Sequence, residues 1–483
     1  MKYYVFIFYL IYLHTIGYAQ NENKFKNSRI EFKSEAFQNK MYYLAGYYGK
    51  YTVLLDSANA SNVGSIIFKK GKKYTEGLYL LVDKEKKIVL EFMMDTIQQF
   101  SIEVDSVDLN KSSVKNSKTN QDFFDFNFFL KNKFEELDNL NTNFSNLKTN
   151  ADSLLLKNKM IAVQKEINSY KFKFIKEHPK NVISLLFKLS QPIETYFEDI
   201  ENPSTLYNSN DSLKYVKNNF FKEIDFSDPR LLRNPFLEKK IETYFNSLVV
   251  NSAEEITKEV FKILDKTGSK ENETFSYLSL YFMNTYSNPK IMGLDRVFIN
   301  VYNKYFKNQE YSWLTISQKL SLNDTNRDLK DNLIGNLSPN LFMKTIQDKR
   351  IDLYEVKAPF TVLIFWDPSC GHCIKEIPKI KKMYDDLWKT KGIKVFAVNI
   401  NVDLNIDWRK YIEKENLNEW INVYPSSEVV GNYTKEDVDF QTLFNVHQTP
   451  VLYLLDANKK FIAKKVGYEK YLDIIKNYEI KLK

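Results

Sequence analysis

The sequence predicts a chain in three parts: an N-terminal all-β, sandwich-like domain, a central all-α domain and a C-terminal α/β domain. Three observations carry this. Short strand-like runs separated by turn residues recur about every ten residues as far as Asp105. From Gln121 to about Asn332 apolar residues recur at three- and four-residue steps, the spacing of an amphipathic helix. Beyond Leu333, strand-like runs alternate with helix-like ones. A chain of 483 residues also exceeds what one hydrophobic core supports, so several domains are expected on size alone.

The first residues stand apart. Lys2 precedes an apolar run from Tyr3 to Leu13, and the small residues Gly17 and Ala19 stand ahead of polar Gln20. That order defines a secretory signal over residues 1–19, cleaved after Ala19. An uncleaved anchor is the alternative, but His14, Thr15 and Gly17 shorten the apolar run below the roughly 20 residues a span needs. No cysteine follows, which excludes lipid attachment at that point, and no later segment is apolar enough to cross a bilayer. The expectation is an exported protein of the periplasm or cell envelope, with no transmembrane segment after cleavage. Its net charge of +8 is interspersed along the chain and not gathered in a patch, which argues against a nucleic-acid surface.

The β domain is placed at 24–108, with strands at Arg29–Lys33, Met41–Tyr48, Tyr51–Ser57, Ile66–Phe68, Leu78–Val82, Lys87–Phe92 and Phe100–Val104. It has no Cys or His and no catalytic grouping, so it reads as a binding or purely structural module. Asn110–Asn120 is rich in Asn, Ser and Lys and reads as a loop. The helical domain is placed at 121–330, with a helix over Ala151–Lys176 stopped by Pro179. Asp211-Ser212, Asn234-Pro235 and Ser252 to Glu255 are helix-start signals. The aromatic residues here read as helix-packing core. The lone His178 reads as a helix-end residue.

The C-terminal domain, 333–483, opens on Ile334–Leu341. Strands are expected at Thr361–Trp366, Ile393–Ile400, Val451–Asp456 and Phe461–Val466. Helices are expected at 371–389, Trp408–Lys414 and Phe440–Val446. Its first strand runs into Asp367-Pro368-Ser369-Cys370-Gly371-His372-Cys373, and these two cysteines are the only ones in the chain. An exported protein that places all of its cysteine in one Cys-x-x-Cys has a redox dithiol and no structural disulfide to spare. A zinc site is disfavoured because four ligands are needed and no second cysteine pair exists.

A thiolate is the reactive form of cysteine. At a helix N-terminus Cys370 meets unpaired backbone N–H groups and the positive end of the helix dipole, both of which favour its thiolate. Cys373, one turn in, is more buried. The expectation is that Cys370 attacks, Cys373 resolves the mixed disulfide and His372 between them tunes Cys370. No cofactor is called for.

Phe365-Trp366-x-x-x-Cys370-Gly371-His372-Cys373, followed by Thr449-Pro450 ahead of a strand, resembles the thioredoxin fold. Ile334–Leu341 and Ile374-Lys375-Glu376-Ile377-Pro378 resemble the TlpA/ResA-like extracytoplasmic thiol-disulfide oxidoreductases. The strand-rich block and helices before it, with Asp225–Leu232, are similar to multidomain thioredoxin-like proteins of Bacteroidetes envelopes. The resemblance implies a redox-active disulfide between Cys370 and Cys373 and a cis Pro450 against the dithiol. It also implies substrate contact by Trp366, Thr449 and Pro450, and proton handling by Glu376. Partners would be protein thiols and disulfides, with an electron donor or acceptor such as a membrane thiol transporter. The sequence departs from the pattern in having Ile364 where thioredoxin has a buried Asp, and Ser369 where a Trp usually precedes the first Cys. An envelope binding protein with an accessory redox-type domain is the second reading. A peroxidase is disfavoured by the Cys-x-x-Cys.

Overall fold

The computed structural model describes residues 27–144, 150–193, 195, 209–425 and 440–482. The expected leader at 1–19 lies outside them. No helix of the described residues is long and apolar enough to cross a membrane. The chain divides into two compact units, Met1–Gln191 with Leu232–Leu237, and Pro192–Leu231 with Glu238–Lys483.

The first unit begins with β1 (Ser28–Lys33), β2 (Met41–Tyr48), β3 (Tyr51–Asn59), β4 (Ser65–Lys70), β5 (Gly77–Asp83), β6 (Ile88–Met94), β7 (Gln99–Glu103) and β8 (Ser113–Lys115). They form two four-stranded sheets, ordered β4-β1-β7-β8 and β3-β2-β5-β6. Ile30 and Phe32 are fully buried and alternate on β1 with exposed Arg29 and Lys33 and half-buried Glu31, so one face of the strand points into the core. The sheets share that core, where the Phe32 and Phe92 rings meet at 5.0 Å.

β8 and the start of α1 (Lys118–Phe144) fall in the stretch expected to be a loop. The reason is that its polar residues are caps and anchors. Ser117 Oγ accepts the Asn120 N–H. The fully buried Asn120 side chain accepts from Met93 N–H (2.7 Å) and donates to the Met93 carbonyl (2.8 Å), holding α1 to β6. Two further helices follow, α2 (Asn150–Glu177) and α3 (Val182–Leu189). All three belong to the unit of the sheets. Phe126 packs on Tyr170 at 5.2 Å and on Phe187 at 4.5 Å. His178 follows the end of α2 with its ring against Phe174. The 232–237 strip joins this unit through Leu78 N–H to the Arg233 carbonyl (2.8 Å), and a Cβ at Gly77 would lie 2.2 Å from that of Arg233. Only glycine lets the two backbones approach so closely.

The second unit holds α4 (Ser209–Asn219), most of α5 (Phe236–Leu248), α6 (Ala253–Asp265), α7 (Glu273–Ser287), α8 (Asp295–Val301) and α9 (Ile316–Lys330). Ser252 caps α6, its Oγ accepting from Glu255 N–H, and Asn234 Oδ1 accepts from Phe236 N–H at the start of α5. Asp211 and Ser212 stand inside the first turn of α4 and not ahead of it, where the Asp211 charge faces the positive helix end.

The rest of this unit is β9 (Phe342–Thr345), β10 (Arg350–Asp352), β11 (Phe360–Trp366), α10 (Gly371–Met383), β12 (Lys394–Asn399), α11 (Asn405–Lys414), β13 (Ile421–Tyr424), α12 (Phe440–Leu443), β14 (Val451–Asp456), β15 (Phe461–Lys464) and α13 (Tyr471–Leu482). One seven-stranded sheet runs β10-β9-β13-β12-β11-β14-β15. β11 is central, parallel to β12 and antiparallel to β14, and all seven of its residues are buried. Val362, Ile364 and Trp366 enter one core cluster, while Leu363 and Phe365 enter another. Such a strand, covered on both faces, reads as a continuous apolar run. The helix expected over 371–389 is α-helical to Met383 and continues as a π turn through Trp388, which is fully buried and stacks on Tyr471.

Within this unit α8 meets β15 through a buried ion pair. Lys464 Nζ contacts Asp295 Oδ2 with side chains only 3% and 4% exposed, and it also donates to Asn332 Oδ1 at 2.7 Å. Burial pushes the Lys464 ammonium below its ordinary value, while Asp295 opposes that. Arg296 adds hydrogen bonds to the Ile334 carbonyl (2.7 Å) and Asn336 Oδ1 (2.9 Å).

Candidate active site

The site is assembled by strand register. β11 ends at Trp366, and the chain turns through Asp367–Ser369 into α10, whose N-cap is Cys370. β14 starts at Val451, paired with Phe365, so the Thr449–Pro450 peptide is set beside that turn. This peptide is cis, as the resemblance implies. Cys370 and Cys373 are both free thiols.

The two cysteines have opposite surroundings. Cys370 is half-buried, and as a thiol it donates to the Thr449 carbonyl at 3.4 Å. Its pKa is lowered, first by the Thr449 side chain and then by the Cys373 main-chain N–H; burial opposes this, and the His372 main-chain N–H adds a lesser lowering. Cys373 is fully buried, and burial pushes its thiol up to about 11 despite the Asp367 main-chain N–H that faces it. At pH 7 a thiol titrating near 11 is thiolate only about one part in 10⁴. The two sulfurs therefore differ in how readily each ionises.

The other expected residues divide. Thr449 and Pro450 are half-exposed, with the Thr449 carbonyl on Cys370. Trp366 is corrected: expected as a substrate contact, it is fully buried, packed 5.4 Å from the Tyr411 ring, and forms the floor of the site and not its surface. The apolar sheet core takes every side chain of β11, Trp366 included. His372 is exposed, and its main-chain N–H acts on Cys370. Its imidazole is near enough to lower the Glu376 carboxyl. Glu376 is one turn beyond Cys373, with its carboxylate accepting from Lys379 Nζ (2.9 Å) and the Tyr468 hydroxyl (3.2 Å). Lys379 is the chief cause of its lowered pKa, and Tyr468 contributes.

Sequence reasoning missed Tyr411. Its hydroxyl donates to the Ile374 carbonyl (3.3 Å), and its pKa is pushed up to about 12 by burial, Glu415 and Cys373. It comes from α11 to pack on Trp366 and on the first turn of α10, and no local motif marks it.

These thiols predict a selective alkylation. Iodoacetamide at pH 7 should label Cys370 in the reduced protein and leave Cys373 unmodified, as mapped by peptide mass spectrometry. In Cys373→Ser, the labelling rate should rise with pH through a midpoint below that of an unperturbed cysteine in the same buffer. A lowered pKa moves the onset of thiolate to lower pH. Equal labelling of both thiols at pH 7 would contradict the assignment.

A reactive thiol at a helix N-terminus, a buried partner one turn on and a facing cis Thr-Pro define a thioredoxin-like domain. Comparison with known proteins agrees. Residues 334–464 match the AhpC/TSA family model, and residues 159–332 match a domain of unknown function, DUF5106. The thiol-disulfide oxidoreductase ResA of Bacillus cereus is 24% identical over 134 residues, covering 28% of this chain and 70% of that protein. The crystal structure of a domain of a possible thiol-disulfide isomerase from Cytophaga hutchinsonii is 38% identical, covering 31% of this chain and 95% of that one, with a TM-score of 0.27. A thioredoxin-like protein from Bacteroides caccae is 18% identical, covering 57% of this chain and 96% of that one, with a TM-score of 0.44. The C-terminal third is a domain of the TlpA/ResA-like thiol-disulfide oxidoreductases, and the protein is an oxidoreductase.

Proposed function

We propose that the protein reduces or exchanges protein disulfides outside the cytoplasm through the Cys370-Gly371-His372-Cys373 dithiol. The observation that carries this is the split between the half-buried Cys370, with its lowered pKa, and the buried Cys373, raised to about 11. Cys370 thiolate attacks one sulfur of a substrate disulfide, forming a Cys370–substrate bond and releasing the other sulfur as a thiol. Cys373 then gives up its proton and attacks Cys370. The Cys370–Cys373 disulfide forms, the second substrate thiol leaves, and two electrons have passed to the substrate. Thr449 and Pro450 hold the substrate chain. His372 favours the reduced dithiol. Glu376, the carboxylate beside His372, exchanges protons with water.

The extracytoplasmic setting rests on the leader-like residues 1–19. The two N-terminal sheets, joined through Phe32 and Phe92, are read as a β-sandwich that with the helices selects where the dithiol acts. With dithiothreitol as electron donor, the purified protein should accelerate insulin reduction, followed as turbidity of the released B chain. A rate equal to dithiothreitol alone would defeat the proposal.

A further inference from the structure

The loop that carries Thr449 and Pro450 leaves α12 from a fixed start. The Phe444 ring is fully buried among Phe365 (5.1 Å), Tyr453 (5.9 Å) and Phe461 (6.0 Å), and the Phe444 carbonyl accepts the Tyr453 hydroxyl. Val446 N–H returns to the Gln441 carbonyl (2.7 Å). After buried Val446 the chain leaves the core. His447 and Gln448 are exposed, and Thr449 and Pro450 are half-exposed.

The end of α9, outside the sheet, reaches this loop at two points. Asn332, almost fully buried just beyond α9, donates through Nδ2 to the Asp328 carbonyl (2.6 Å) and to the Leu443 carbonyl (3.4 Å). Its Oδ1 accepts from Lys464, the cation of the buried ion pair with Asp295. One turn earlier, Asp328 Oδ2 lies 2.8 Å from His447 Nε2. The Asp328 side chain is 19% exposed and that of His447 is 64% exposed. The carboxylate is therefore the anchor, and the imidazole is the part that is held. A contact with one side so exposed adds little to stability. Its effect is to restrict where the exposed residues of the loop stand. His447 is two residues before Thr449, whose carbonyl accepts the Cys370 thiol (3.4 Å). A hydrogen bond, two peptide units and a second hydrogen bond thus join α9 to Cys370.

We propose that Asp328, through His447, is a positioning residue for substrate: it holds the Thr449-Pro450 peptide in the place where a substrate chain meets it beside Cys370. The inference rests on the proposed function, in which Thr449 and Pro450 hold that chain. The step served is the first exchange. Cys370 thiolate attacks one substrate sulfur, the substrate S–S bond breaks as the Cys370–substrate bond forms, and the departing thiolate takes up a proton. Pairing of Val451 with Phe365 keeps Thr449 near Cys370 with or without the brace. Asp328 touches no reacting atom, so it should govern how a chain docks and not how the sulfur reacts.

The test uses the full chain carrying Cys373→Ser, which stops the reaction at the mixed disulfide. Acid-quenched intact-mass spectrometry follows adduct formation with two substrates: a disulfide-linked peptide dimer below saturation, and the disulfide of 2-mercaptoethanol, which has no peptide chain. Adding Asp328→Ala or His447→Ala should slow the peptide reaction about three- to tenfold, the range for losing one hydrogen bond, and leave the small disulfide within about twofold. The double substitution should be no slower than either single one, because both remove the same contact. Asp328→Asn keeps an acceptor for the imidazole and should recover most of the rate. His447→Ala alters an exposed side chain, so it keeps the proposal testable if Asp328→Ala folds poorly. Equal slowing with both disulfides, additive slowing in the double variant, or no slowing with the peptide would overturn the positioning role. Failure of the Cys373→Ser protein itself to form the peptide adduct would instead defeat the proposed function.

Discussion

Cys370→Ser should reduce disulfide exchange to the background of the reductant, while Cys373→Ser should convert the protein into a trap. A serine hydroxyl is not appreciably ionised at neutral pH, so removing the Cys370 thiolate removes the nucleophile outright. In Cys373→Ser, attack remains but the mixed disulfide has no internal thiol to release it. The expected result is a covalent adduct approaching one per protein with a disulfide peptide, cleaved by excess dithiothreitol. The same variant used in cell envelopes should retain substrate proteins, identified by mass spectrometry. Reversed phenotypes, with Cys370→Ser as the trap, would exchange the roles assigned to the two sulfurs.

The second large effect is on stability. Asp295→Ala should cost about 3–5 kcal/mol, because it leaves the Lys464 ammonium buried without its counter-charge. The double substitution Asp295→Leu with Lys464→Met should recover most of that loss, since replacing a buried ion pair by apolar groups of similar volume is often neutral. The midpoint of urea unfolding, followed by tryptophan fluorescence, checks both. A shift for Asp295→Ala of under about 1 kcal/mol would mean that Lys464 reaches water without rearrangement. The pair matters for architecture as well as stability. Lys464 lies on β15, and Asp295 and Asn332 come from the helical stretch before the sheet, so the helices and the redox-type sheet pack as one body within this unit.

That contact also marks what a sequence can and cannot disclose. β11 was legible because a strand buried on both faces is a continuous apolar run, and Phe360–Trp366 is one. The dithiol was legible for a chemical reason, since two cysteines at a strand-to-helix junction have few other uses. β10, β9 and β13 were not legible. They are three or four residues long; β10 pairs only with its neighbour β9, while β9 and β13 are defined by each other across the chain, as Val423 pairs with Thr345. The loop expected at Asn110–Asn120 failed because an Asn that usually signals a turn is a buried anchor when Met93 supplies both its partners. Trp366 was misplaced for a related reason. A motif gives its position beside the cysteines, but strand alternation sends its side chain into the core. The brace from Asp328 to His447 joins α9 to the loop before β14 across 119 residues, and no spacing along the chain announces it.

The central claim is that Cys370 and Cys373 form a reversible two-electron couple. Redox titration of the full protein in dithiothreitol buffers of graded potential, with remaining thiols counted by alkylation and intact mass, tests it most directly. The account predicts one transition between a dithiol and an intramolecular disulfide, following a two-electron Nernst curve, and its absence in Cys370→Ser and in Cys373→Ser. A protein that keeps two free thiols across the whole range, or oxidises only between molecules, would contradict it.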